Sequence, residues 1–314
     1  MVWNSAERVG CCVLLALMAG TSTVAVGQDD VAARVGATPI TRKQIDAGVP
    51  PDAYARRARN IRERRLTRLI ELEVTRQFLE ARGVRPARAA IDARLAKLRK
   101  LPPAQLCPCC RFPSLEAFLE TESITLLEMK AQIRNEIGLE TLVQAAWKQT
   151  YPGGRGLKID RQRMEREWMR GGHLFFNTSR LLSAGETPAS QAARARKLSD
   201  ECAAALRAGS SFETTARKFS EDPMSRDQGG DLGLFRRDAY GPEFEDALKG
   251  AAAGQVVGPF RSQFGIHIAR WVPFKPGDFK EIAFREFAEK KTVELKAAAT
   301  KAIPVQPVGA VPGS

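Results

Sequence analysis

The chain has 314 residues, 44% of them hydrophobic and 27% charged, which is ordinary for a globular protein and long enough for two domains. A formal net charge of +13 raises nucleic acid and membrane surfaces as partners, so its location decides what it excludes. Between residues 51 and 100 fifteen Lys and Arg stand against six Asp and Glu, a local +9, whereas residues 173–273 carry thirteen against twelve. The basic character belongs to an N-terminal arm and not to the segment that follows it.

Residues 1–27 read as an export signal. Arg8 precedes the apolar run 9–19, and small residues through Ala25-Val26-Gly27 place cleavage after Gly27. The alternative is an uncleaved anchor; Cys11 and Cys12 precede the apolar core, where a lipoprotein cysteine would have to follow it. No later stretch approaches the roughly 20 apolar residues of a membrane-spanning helix. Export leads to an oxidising compartment, where Cys107-Pro108-Cys109-Cys110 is suited to a local disulfide. A zinc site there lacks both a nearby histidine and a two-plus-two spacing.

Residues 28–169 read as a helical arm. Val31 to Thr41 alternates and turns like a short strand pair, and Thr41 caps a helix over 42–47. Ile61, Leu66, Leu69, Ile70, Val74 and Phe78 predict one long amphipathic helix over 52–82, with arginines on its other face. Further helices are expected over 86–100, 114–122, 125–149 and 160–169, with a break at Tyr151-Pro152-Gly153-Gly154. At the other end 275–302 forms a C-terminal amphipathic helix. Residues 303–314, with Pro304, Pro307 and Pro312, read as a disordered tail.

The pattern changes over 170–274. His173-Leu174-Phe175-Phe176 is a short apolar strand, and helices follow over 190–208, 212–218 and 242–248, with Cys202 as core filling. A Gly-rich loop ends at Gly229-Gly230-Asp231-Leu232-Gly233, and strand-like pieces begin at Phe235 and run over 256–260 and 266–272. This order implies a small α+β domain with an antiparallel sheet and surrounding helices.

The ordered set Gly229-Gly230-Asp231-Leu232-Gly233-x-Phe235, then 242–247 (PEFEDA), 254–260 (GQVVGPF) and 264–268 (FGIHI) resembles the parvulin family of peptidyl-prolyl cis/trans isomerases, over about a third of the chain. The arm is similar, more loosely, to that of exported PrsA-like and SurA-like foldases. The resemblance implies a non-covalent isomerase that needs no metal or cofactor. It implies that His173, Asp222, His267 and Ser262 form the catalytic set, with the two histidines back to back on neighbouring strands. It implies that Leu232, Tyr240, Phe244 and Phe264 line a proline slot. Asp222 stands where the family has cysteine or aspartate, which excludes thiolate chemistry. Two departures follow: Tyr240 replaces the more usual methionine, and the loop 177–190 carries Arg180 instead of a basic cluster, which argues against phosphate selectivity.

Other readings of the same residues stay open. A buried histidine pair is also an ordinary hydrogen-bonded core feature, and Asn177-Thr178-Ser179 matches a glycosylation sequon by a short string. The pair Gly229-Gly230 lacks the Lys-Ser/Thr of a phosphate loop. The expected function is an extracytoplasmic isomerase, periplasmic or secreted, acting on unfolded or proline-containing exported polypeptides. The alternative is a non-catalytic chaperone or scaffold with a peptide-binding domain. No nucleic-acid partner is expected; the basic arm or an uncleaved signal offers a route to a membrane surface. Phe244→Ala is expected to reduce turnover more than stability, and His267→Ala to damage both.

Overall fold

The computed structural model describes residues 30–101, 114–178 and 187–308. The signal, the Cys107 to Cys110 cluster, Arg180 and residues 309–314 lie outside the described residues. The chain divides into two compact units, one of residues up to 78 together with 299 onward, the other of residues 79–298.

In the first unit, β1 (Val31–Val35) and β2 (Thr38–Thr41) form an antiparallel pair. Thr41 then starts the short helix α1 (Arg42–Asp46) through a capping box with Gln44, which satisfies amide groups that a helix end leaves open. Helix α2 (Ala55–Glu80) buries Ala58, Ile61, Val74 and Phe78. Gln77 of α2 donates to the Val35 carbonyl at 2.7 Å, fixing helix to sheet. The reading of the tail as disordered is corrected for its described part, 303–308: β7 (Val305–Pro307) pairs antiparallel with β1, making a three-stranded sheet of order β2-β1-β7. Pro307 is tolerated there because β7 is an edge strand and need not donate on its outer side.

The second unit holds α3 (Arg88–Arg99), α4 (Leu115–Thr121), α5 (Leu126–Thr150) and α6 (Arg161–Glu167). Leu95, Leu115, Leu119, Met129 and Ile133 share one core among α3, α4 and α5. Helix α5 begins with a Thr125/Glu128 capping box and ends before the turn at Pro152-Gly153-Gly154. Next come β3 (Trp168–Asn177), α7 (Pro188–Arg207), α8 (Phe212–Phe219), β4 (Asp231–Arg236), α9 (Pro242–Leu248), β5 (Val256–Arg261), β6 (Gly265–Trp271) and α10 (Asp278–Ala302). The sheet is antiparallel with order β4-β3-β6-β5, so β3 and β6 are central.

Strand alternation assigns the two faces of this sheet. Leu174, Phe176, Ile266 and Ile268 point to one side, into a core with Ala195, Cys202, Phe212 and Ala216 from α7 and α8. Met169, Phe235 and Ala269 point to the other, against Phe244 and Leu248 of α9. A third core joins Trp147 and Met164 of the helical arm to Trp168, Leu234, Phe279 and Ile282, so helices α5, α6 and α10 pack on one end of the sheet. This shared core joins the last helices of the arm to the sheet across residue 170, where the sequence pattern changes.

β3 starts five residues earlier than expected, at Trp168. Its Gly171 and Gly172 interrupt the apolar alternation because neighbours come close: a Cβ on Gly172 would lie 2.7 Å from the Gly230 carbonyl oxygen.

Candidate active site

His173 on β3 lies opposite Ala269 on β6, and His267 on β6 lies opposite Phe175 on β3. The two imidazoles therefore share the α9-facing side of adjacent strands, with ring centroids 5.6 Å apart and planes tilted 39°. Both are buried, at 4% and 2% exposure.

The loop that supplies Asp222 runs beside the end of β3. The Glu221 amide donates to the Phe175 carbonyl at 2.7 Å, and Ser220 Oγ accepts from the Phe175 amide at 3.1 Å. This brings Asp222 Oδ2 to 2.9 Å from His173 Nε2. The carboxylate also accepts from the Met224 and Ser225 amides, each at 3.1 Å, and from the Ser225 hydroxyl. Burial pushes the Asp222 carboxyl up, but the hydrogen bond and charge of His173, with Ser225 and Met224, outweigh it and hold the group at about 2. An ionised carboxylate only accepts, so Nε2–H of His173 donates to it.

The second imidazole has a different partner. Ser262 Oγ lies 2.8 Å from His267 Nε2 and accepts from the Phe264 amide at 3.0 Å. Burial, helped by the nearby His173 and opposed by Asp222, pushes His267 down to about 3, so the ring is neutral. The Nδ1 atoms of both histidines are buried and have no hydrogen-bond partner among the described residues.

Gly230 shapes this arrangement through its backbone. It adopts φ +79°, and its carbonyl accepts from the His173 amide at 2.9 Å. A Cβ at Gly230 would sit 2.6 Å from the His173 carbonyl oxygen. Gly230→Ala is therefore expected to destabilise the chain by about 1–3 kcal/mol through left-handed strain and the clash, read as a lower urea midpoint. An unchanged midpoint would contradict this account of the Gly-Gly pair.

Of the expected slot residues, Leu232 and Tyr240 are half-buried against the Met169–Phe244 core, and Phe264 is 38% exposed at the β5–β6 turn. Tyr240 lies 5.5 Å from the His173 ring and 5.1 Å from Phe244. Burial, and then the Asp222 charge, push its phenol up to about 12. Phe244 departs from expectation. It has 0% exposure and is the floor of the aromatic cluster, not an open wall, because Phe235, Tyr240 and Phe260 pack their rings around it.

Three residues were not anticipated. Phe260 stacks on His267 at 5.5 Å and 17°, and Phe175 lies 5.2 Å from His267 and stacks on His173 at 6.2 Å. Ser225 anchors Asp222. The signals were present: Phe175 is two residues from His173 and so on the same strand face, and Asp222-x-x-Ser225 has the spacing of a side chain that closes a local turn.

Paired imidazoles on a central strand pair, an ionised aspartate on one of them and a Gly-rich loop held against the same strand define the class of the segment. Residues 173–272 match the family model of the rotamase or PPIC-type PPIase domain. This part of the chain is a parvulin-type domain.

The chain is 44% identical over 86 residues to chaperone SurA of Xanthomonas oryzae pv. oryzae (strain MAFF 311018), covering 27% of this chain and 19% of that protein. It is 44% identical over 78 residues to chaperone SurA of Xylella fastidiosa (strain Temecula1 / ATCC 700964), covering 25% and 17%. It thus spans about a fifth of the length of the curated relatives it matches. Among solved structures it is similar to PrsA from Bacillus subtilis, at 19% identity over 88% of this chain and 93% of that one, TM-score 0.41. It is also similar to NmPin, the parvulin of Nitrosopumilus maritimus, at 24% identity over 34% of this chain and 97% of that one, TM-score 0.24.

Proposed function

We propose that the chain is a peptidyl-prolyl cis/trans isomerase that assists the folding of exported proteins. The observation that carries this reading is the buried pair of imidazoles, one on the ionised Asp222 and one on Ser262, beside an aromatic core against which Leu232 and Tyr240 pack.

Rotation about an X–Pro bond must break amide resonance, with a barrier of about 18–20 kcal/mol. The planar amide carries partial negative charge on its oxygen, and that charge fades as the bond twists. A dry apolar slot disfavours the charge-separated planar form, and an ionised carboxylate nearby disfavours it further. In this reading Asp222 supplies the negative charge, His173 orients it through the Nε2 hydrogen bond, and neutral His267 on Ser262 adds a polar, uncharged group to the floor. Each 1.36 kcal/mol of preference for the twisted form gives a tenfold rate. Leu232, Tyr240 and Phe264 take the proline ring, and the helical arm and α10 hold the unfolded client. Among the described residues no helix is long and apolar enough to cross a membrane; export, to the periplasm or beyond, rests on the reading of residues 1–27.

The second reading is a chaperone whose domain binds peptide without turnover. In it the fully buried Phe244 belongs to the packed floor beneath the imidazoles and takes no part in turnover. A protease-coupled prolyl-peptide assay with the full chain separates the two. Acceleration proportional to enzyme supports the isomerase; suppressed client aggregation with no acceleration would establish the chaperone reading instead.

A further inference from the structure

We infer that the exposed side of α2 from Tyr54 to Arg68 docks on an anionic, phosphate-bearing lipid surface. This stretch carries seven arginines, at 56, 57, 59, 62, 64, 65 and 68, against one carboxylate, Glu63. The second half of the same helix, 69–80, reverses the balance with Glu71, Glu73 and Glu80 against Arg76. The positive charge is therefore segregated along the first four turns and not spread over the helix.

The inward face of this stretch is fixed by Ala58, Ile61 and Arg65, all buried. Arg65 belongs to that face: its guanidinium donates to the Ile45 carbonyl at 2.6 Å and the Gln44 carbonyl at 2.8 Å, closing the C-terminal end of α1. Arg62 pairs with Asp46 at 2.7 Å. At 100° per residue, Arg56, Arg59 and Arg64 fall on the half of the helix away from the buried face, with Arg57 on its flank. All four are exposed. Arg56, Arg57 and Arg59 form no ion pair among the described residues, and Arg64 donates to the Asn60 carbonyl at 3.4 Å.

This arrangement works against the helix. The first turn contains no acidic residue, so the arginines there meet the positive end of the macrodipole. Arg56 and Arg59, and Arg59 and Arg62, are like charges at i,i+3, a spacing that repels. A fold that needed only a solvated face would gain from carboxylates in those positions. Anionic headgroups supply the missing counter-charge, and a cationic helix side of about 20 Å matches a flat surface better than a concave groove does. Tyr54, 69% exposed at the head of the patch, has the amphipathic ring that sits at a headgroup boundary. The choice of lipid over nucleic acid rests on the proposed export of the chain.

The test is co-sedimentation of the full chain with phosphatidylcholine vesicles, with and without phosphatidylglycerol, at low and moderate salt. The expected result is binding only when phosphatidylglycerol is present, weakened by salt. It should fall at least about tenfold in the combined variant Arg56→Gln/Arg57→Gln/Arg59→Gln/Arg64→Gln. A control that removes the same charge elsewhere, Lys97→Gln/Lys100→Gln/Arg207→Gln/Lys249→Gln, should retain most of the binding. Circular dichroism of both variants checks that α2 persists, and prolyl-isomerase activity, measured on the same samples, should not follow the vesicle result. Equal losses in the two variants, equal binding to pure phosphatidylcholine, or tighter binding to a short DNA duplex lost in the same variant would each overturn the inference.

Discussion

Phe244→Ala is expected to lower the stability of the full chain by about 3–5 kcal/mol, the range for removing a fully buried phenyl ring. Phe244 has 0% exposure, and five rings pack on it: Tyr240 at 5.1 Å, His267 at 5.7 Å, Phe260 at 5.8 Å, His173 at 6.0 Å and Phe235 at 6.1 Å. Truncation leaves a cavity directly under both imidazoles, so their orientation and the fold fail together. This reverses the expectation from sequence that turnover would suffer more than stability. Urea denaturation reads it, and Phe244→Leu, which keeps most of the volume, should cost clearly less. A loss below about 1 kcal/mol with turnover abolished would restore Phe244 as an open wall of the slot.

The second large effect is acid lability centred on His267. Its folded value of about 3 lies below the ordinary 6.5. Below pH 6.5 the unfolded chain takes up a proton that the folded chain refuses. Stability is therefore fully present above about 6.5 and falls as pH drops toward 3, by up to about 1.4 kcal/mol per pH unit. Several kcal/mol are at stake across that window. Asp222 acts in a separate, lower one: its carboxyl, held at about 2, contributes stability present above the ordinary 3.8 and lost as pH falls toward 2. Urea midpoints at pH 7, 6, 5 and 4 should decline steeply for the native chain and much less for His267→Gln. A flat profile for the native chain would mean that the ring takes up a proton freely in the folded state.

Much of the parvulin-type domain was legible because its local signals agree with its packing. His173 and His267 each sit in a short apolar run that reads as a strand, and the two-residue side-chain repeat of a strand sets their face. Gly229-Gly230 marks a backbone that must come within contact of β3, and Gly230 does so at the His173 carbonyl. What could not be read depended on contacts distant in sequence. Strand β7 was hidden by Pro304 just before it and Pro307 within it, since pairing with β1 some 270 residues away leaves no local pattern. The start of β3 was hidden by Gly171 and Gly172, which look like a break until the neighbouring backbones are in place. The burial of Phe244 follows from Phe235, Tyr240 and Phe260 converging from three elements, a tertiary fact that the segment around residue 244 does not encode.

The arm shows the same limit. Helical periodicity located α2 to α5 to within a few residues. It said nothing of the core that Trp147 and Met164 share with Trp168, Leu234 and Phe279, which ties the end of the arm to the sheet. An amphipathic pattern reports that a face is buried, not what buries it.

Exchange spectroscopy on a short proline-containing peptide tests the central claim most directly, because it watches cis and trans forms interconvert without a coupling protease. With the full chain present at a small fraction of the peptide concentration, the two forms should exchange within seconds, with Asp222→Ala returning most of the uncatalysed rate. Peptide resonances that shift or broaden on binding while the exchange rate stays at its uncatalysed value would contradict the account.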